Sequence, residues 1–69
     1  MYIIQEIQTN GTTTALVPAK TFTDRKEAES AYYLALSSAA VSEVEVHTVI
    51  MFDEHGNTLL NGFYEHFAK

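Results

Sequence analysis

The residues of this chain with the most chemistry to offer are its histidines and carboxylates. His47 stands two residues after Glu45 in the alternating stretch Val44-Glu45-Val46-His47, and Glu65 lies in a segment that returns toward it. Two carboxylates and an imidazole can hold a divalent metal or act as general acid and base. Residues two apart on a strand share a face, so Glu45 and His47 point the same way. No HExxH or comparable ligand spacing accompanies them, and a solvated polar patch at the wet end of a sheet uses the same residues. His55 falls in a turn sequence and His66 near the C-terminus. Ser30, Ser37, Ser38 and Ser42 lie on or just past a helical segment, with no GxSxG and no triad order. Gly11, Gly56 and Gly62 are dispersed and form no phosphate-cradling loop. Tyr32 and Tyr33 are adjacent on a helix and face different directions, which makes a poor platform for stacking bases. Cysteine is absent, which removes disulfides, thiolate metal sites and a thiol nucleophile. The expectation is a protein that is not an enzyme and takes no metal and no cofactor.

The balance of charge narrows the partners. Lys and Arg total 4 against 9 Asp and Glu, for a net charge of −5 over 69 residues. Duplex binding needs clustered cations to displace counterions. Lys20, Arg25, Lys26 and Lys69 do not supply them, so no direct nucleic acid ligand is expected. The carboxylates are spread along the chain without a run of like charge, as for ordinary solubility. No apolar run approaches the roughly 20 residues that span a bilayer. The start, Met1-Tyr2-Ile3-Ile4-Gln5-Glu6, has neither a basic region nor an apolar stretch of the secretory kind. A cytoplasmic protein without membrane contact is expected. At 46% hydrophobic residues the chain is too apolar for disorder. Its length fits one domain, residues 1–69. A core this small yields only about 3–5 kcal/mol of net stability, so a partner subunit is a natural support.

The elements that must position these residues follow from turn chemistry and periodicity. Tyr2 to Thr9 is extended in character, Asn10-Gly11 signals a type I′ hairpin turn, and Thr12 to Val17 returns until Pro18. A two-residue loop at Asn10-Gly11 would pair Thr9 with Thr12, Ile7 with Thr14 and Ile4 with Val17. A helix follows near Asp24 to Ala40, capped by Thr23 or Asp24 with Glu27 three residues on from Asp24. Ala28, Ala31, Tyr32, Ala35, Leu36 and Ala39 fall in one arc, while Lys26, Ser30, Leu34, Ser37 and Val41 point away. Val44 to Phe52 is the clearest strand. Asp53-Glu54-His55-Gly56 reads as a type I turn closed by a left-handed glycine, and Asn57 to Phe67 returns, with Gly62 marking a bulge or a close backbone approach. The order is β-β-α-β-β, an α+β fold in two layers, with one helix on a four-stranded, mainly antiparallel sheet. Strand order 2-1-3-4 places the apolar third strand in the centre. The β-grasp order 2-1-4-3 is the alternative.

Pairing Asp53 with Asn57 sets a register for the second hairpin. One face then carries Val44, Val46, Thr48, Ile50, Phe52, Leu60 and Tyr64, and suits the helix. The other carries Glu45, His47, Glu65 and the apolar group Val49, Met51, Leu59 and Phe63. One helix cannot cover both faces. A contiguous exposed apolar patch marks an interaction surface. Val49, Met51, Leu59 and Phe63 are therefore the expected interface.

The stretch from Thr23-Asp24-Arg25-Lys26-Glu27-Ala28-Glu29-Ser30 through Ala39-Ala40-Val41-Ser42-Glu43-Val44-Glu45-Val46-His47-Thr48 resembles small uncharacterised proteins of Gram-positive gut bacteria and their prophages. Ile4-Gln5-Glu6-Ile7-Gln8 is similar too. The resemblance implies an accessory protein of a phage or mobile element and carries no activity or site residues. The expected function is a small non-enzymatic interaction module, self-associating as a homodimer or binding another protein. Two rivals remain: a small metal-dependent or acid/base enzyme built on Glu45, His47 and Glu65, and an acidic inhibitor of a basic nucleic-acid-handling protein.

Overall fold

The computed structural model describes residues 1–66. The first hairpin joins β1 (Tyr2–Asn10) to β2 (Thr13–Phe22). Its two-residue loop is Gly11-Thr12, because Asn10 pairs with Thr13 and Ile7 with Leu16. The expected Asn10-Gly11 loop is thus displaced by one residue. Gly11 takes φ 60° while no non-glycine residue among those described has positive φ, the pattern of a type II′ turn. A type I′ turn would force Asn10 to positive φ as well. Asn10 instead stays extended and its Oδ1 accepts a hydrogen bond from the Glu45 backbone at 3.0 Å. The Gly11 N–H returns one to Glu45 Oε2 at 3.2 Å. Further along β2 the register slips between Ile4↔Lys20 and Glu6↔Val17, so Pro18 and Ala19 together oppose Gln5. Proline cannot donate to a ladder, and a bulge on an outer strand accommodates it. The Gln5 side-chain amide donates to the Val17 carbonyl beside this bulge.

The helix α1 (Arg25–Ala40) starts at Asp24, whose carboxylate accepts from the Glu27 N–H at 3.3 Å. Ala28, Tyr32 and Ala39 are buried, and Ala31, Ala35 and Leu36 pack on the core, so the expected arc is the one that faces the sheet. Leu34, Tyr33 and Val41 are exposed. No basic residue sits in the last turn. His66 answers that need from the far end of the chain: its Nε2 lies 2.9 Å from the Ala39 carbonyl, which also accepts from the Ser42 N–H at 3.2 Å.

The second hairpin joins β3 (Val46–Asp53) to β4 (Thr58–Glu65). The Asp53 N–H donates to Asn57, the Gly56 N–H donates back to Asp53, and Gly56 takes φ 84°, as the turn residues predict. The Asp53 carboxylate accepts from the backbones of His55 and Asn57, both at 2.9 Å, and from the Asn57 side chain at 3.1 Å. These bonds, led by that from the Asn57 backbone, hold its pKa below the ordinary carboxylate value. A lowered pKa means that the fold binds the charged form more tightly. The stabilisation is present above the ordinary value of about 3.9 and is lost as pH falls through the lower folded value. Asp53→Ala is expected to lower the melting temperature at neutral pH and to flatten its decline in acid. A calorimetric series from neutral pH to acid checks this.

The sheet order is β2-β1-β3-β4, antiparallel throughout. The apolar β3 is central and pairs with β1, which sets aside the β-grasp alternative. One register feature reverses an expectation. After Phe52↔Thr58 the pairing resumes at Met51↔Leu60, so Leu59 is an extra residue on β4. An extra residue turns every later side chain to the opposite face. Leu60, Gly62 and Tyr64 therefore join His47, Val49 and Met51, while Phe63 joins Thr48 on the other side. The bulge sits at Leu59 and Gly62 is the close approach: an added Cβ there would lie 2.9 Å from Tyr32 Oη and 3.0 Å from Leu36 Cδ1.

The helix covers the face opposite to the one expected. Val49 and Met51 are fully buried beneath it, together with Ile4, and Leu59 packs against this core. Of the four residues expected to form an interface, Val49, Met51 and Leu59 belong to the core instead, and Phe63 alone is exposed, at 60%. The reason is shape. Gly62 lies across from Val49 and leaves a hollow that admits Tyr32 and Leu36, so the helix settles on that face.

Candidate functional site

The face left bare is built from rows that run across all four strands. One row is Leu16, Ile7, Thr48 and Phe63. Next to it stand Gln5, Ile50 and Asn61, with the Pro18-Ala19 bulge at the β2 end. Beyond these lie Thr21, Ile3, Phe52 and Thr58. On the other side come Thr14, Thr9, Val46 and Glu65. Ile3, Ile7, Ile50 and Phe52 are half-buried by their neighbours in the sheet. Leu16 and Phe63 stand at the two ends of one row and are 67% and 60% exposed. Glu65, at a corner, is the single charge in these rows among the described residues. A nearly charge-free face, with Ile3, Ile7, Ile50 and Phe52 set among threonines, Gln5 and Asn61, is a concentrated feature on a chain of net charge −5.

The expected grouping of Glu45, His47 and Glu65 does not form. His47 points under the helix and is 4% exposed. Glu65 lies on the bare face across from Val46. Glu45 is held at the first hairpin turn. Among the described residues no group of three potential ligands comes together to hold a metal ion. His47 instead meets Glu6, a residue for which sequence reasoning had no role: Nε2 lies 2.9 Å from Glu6 Oε1. The signal was present in the sequence. Ile4, Glu6 and Gln8 alternate on one strand, so a carboxylate falls on the face of a buried isoleucine. Its partner depended on strand order.

Nδ1 of His47 is buried and has no hydrogen-bond partner among the described residues. A donor left bare in the core costs more than an acceptor with a lone pair to spare. Of the two imidazole tautomers, the arrangement therefore favours the one with the proton on Nε2, donated to Glu6. Glu6→Ala would strand that N–H and is expected to destabilise by about 1–3 kcal/mol, whereas Glu6→Gln, with a carbonyl to accept it, recovers part of the loss. Urea unfolding of the two variants checks the order, and imidazole nitrogen shifts check the tautomer.

Glu6 also borders a cleft of about 190 Å³ between α1 and the first hairpin, lined by Ile4, Lys20, Ala31, Leu34, Ala35 and Ser38. The helix lies mainly over β3 and leaves this flank of β2 open. Most of the carboxylates are divided between two ends of the molecule. Of the nine, Asp24, Glu27, Asp53 and Glu54 lie at the end where β1 begins, Glu43, Glu45 and Glu65 at the other, and Glu6 and Glu29 between them within β1 and α1. Glu54 is tied to the N-terminal ammonium at 3.1 Å. Among the described residues no helix is long and apolar enough to cross a membrane.

No family model matches the chain, and neither a curated protein nor a solved structure matches it.

Proposed function

We propose that this protein is a small non-enzymatic interaction module that works through its bare sheet face, and that a second copy of the chain covers that face. The observation that carries the reading is the row set around Ile7, Thr48 and Ile50, almost free of charge on an acidic chain, with exposed Leu16 and Phe63 at its edges. Copies of an acidic protein repel one another. They meet best where neither presents a charge. The molecule measures 40 × 20 × 16 Å, so its broad side is at most about 800 Å², the order of what one partner contributes to a stable interface of standard size. The inhibitor reading draws less support, because a nucleic-acid mimic needs its carboxylates gathered on one surface and here most of them are divided between two ends. An accessory role in a phage or mobile element rests on the sequence resemblance.

The test is solution mass and melting temperature across a concentration series. A dimer that dissociates on dilution, with a melting temperature that rises with concentration, is the expected result. Phe63→Lys puts a charge on the face without entering the core and should shift the chain to monomer while the dilute-limit melting temperature holds. A wild type that stays monomeric at millimolar concentration, with a constant melting temperature, overturns the reading.

A further inference from the structure

We infer that the two copies meet about a two-fold axis that runs along the strands, through the line between β1 and β3, so that Leu16 of each chain packs against Phe63 of the other. The inference rests on the proposed self-association and specifies its geometry. Two sheets stacked face to face by a two-fold have two simple choices of axis, along the strands or across them. An axis along the strands keeps every row over its own copy and exchanges its ends. It lays β2 over the partner's β4, and β1 over the partner's β3.

The pattern of large and small residues on the bare face fits that choice. In the row Leu16, Ile7, Thr48, Phe63 the two exposed apolar side chains stand at opposite ends. Reversal of the row places leucine over phenylalanine twice, once at each edge. The row Thr21, Ile3, Phe52, Thr58 behaves likewise: Ile3 comes over Phe52, and threonine over threonine at the edges. Glu65 comes over Thr14, and the two Glu65 carboxylates stay on opposite edges of the dimer, where each reaches water. An axis across the strands through the centre of the face gives poorer partners. It brings Phe63 toward Asn61 and Ile7 toward Gln5, apolar over polar, and sets Leu16 on the Pro18-Ala19 bulge. Moving that axis onto the Leu16 row brings like over like there, but it leaves Ile3 and Phe52 beyond the edge of the contact. The strand-parallel axis also brings Gln5 over Ile50 and Ile7 over Thr48, but it is the one that keeps all four rows in contact and sets the exposed Leu16 on the exposed Phe63. The result is a sandwich of two aligned sheets about 10 Å apart, with both helices outside.

The experiment is an isotope-filtered nuclear Overhauser measurement on an equal mixture of 13C-labelled and unlabelled wild-type chains, at a concentration where sedimentation gives the dimer mass. Within one chain Leu16 and Phe63 lie three strand spacings apart, about 14 Å, too far for a cross-peak. Expected are inter-chain cross-peaks from the Leu16 methyls to the Phe63 ring and from Ile3 to Phe52. Phe63→Ala should remove the first set and weaken dimerisation about tenfold, a change of about 1.4 kcal/mol. A dimer whose Leu16 methyls contact Leu16 or Asn61 of the other chain overturns the axis and leaves the self-association reading standing. A dimer with no cross-peaks from the bare face overturns both, as does a monomer.

Discussion

Met51→Ala is expected to leave most of the protein unfolded at room temperature. Met51 is fully buried between Ile4 on β1 and Leu60 on β4, beneath the helix. Truncating a buried methionine to alanine costs about 2–5 kcal/mol, the lost transfer energy plus the cavity left behind. A domain of this size holds only about 3–5 kcal/mol in total. The measurement is urea unfolding followed by far-ultraviolet circular dichroism. The comparison with Ile50→Ala, one residue away on the opposite face, makes it diagnostic. At a concentration low enough to keep the chain monomeric, Ile50→Ala should cost distinctly less, because its side chain is only half-buried in one copy. Equal losses in the two variants would mean that the helix does not select the Met51 face.

Gly62→Val is expected to be the most disruptive change on β4. Even the first atom of a side chain at this position would stand 2.9 Å from the Tyr32 hydroxyl oxygen and 3.0 Å from Leu36. Tyr32 is itself buried, and its ring packs edge to face with Tyr33 at 5.0 Å. The ring therefore has little room to yield. Overpacking of this kind costs about 1–3 kcal/mol, and the branched valine, with two further methyls, belongs at the upper end. Gly62→Ala should be milder but of the same sign. Melting temperatures of the two variants, and the near-ultraviolet signal of the tyrosines, check the order. Combination with Leu36→Ala should restore part of the loss in Gly62→Ala by opening space beside the new methyl.

Much of the fold was legible because local chemistry decided it. Asp24, Glu27 and the alanine arc define a helix and the face it buries. Asp53 through Asn57 define a turn that needs only its own residues. The apolar run of β3 puts that strand in the centre and settles the strand order. What could not be read were features that add one residue or depend on a distant partner. The bulge at Leu59 has no composition signal, since leucine is ordinary in a strand, yet it turns Phe63 away from Met51. Asn10 looked like half of a turn because its distant partner, the Glu45 backbone, is 35 residues away. The presence of an uncovered apolar face followed from counting layers: four strands and one helix cannot cover both sides. Which residues form it followed from Gly62, whose hollow matters only once Tyr32 and Leu36 are placed above it.

Both outer strands carry an irregularity, β2 at Pro18-Ala19 and β4 at Leu59. A regular outer strand presents a row of free N–H and C=O groups on which another chain can lay its own strand, and such growth has no natural end. Proline removes one donor from the first border, and a bulge bends the ladder at each. Addition of chain upon chain in the plane of the sheet is thereby obstructed on both sides. Contact through the face, by contrast, is exhausted once a single partner has docked. The same two irregularities thus oppose open-ended growth at the borders of the sheet, whereas the proposed pairing through the face is closed.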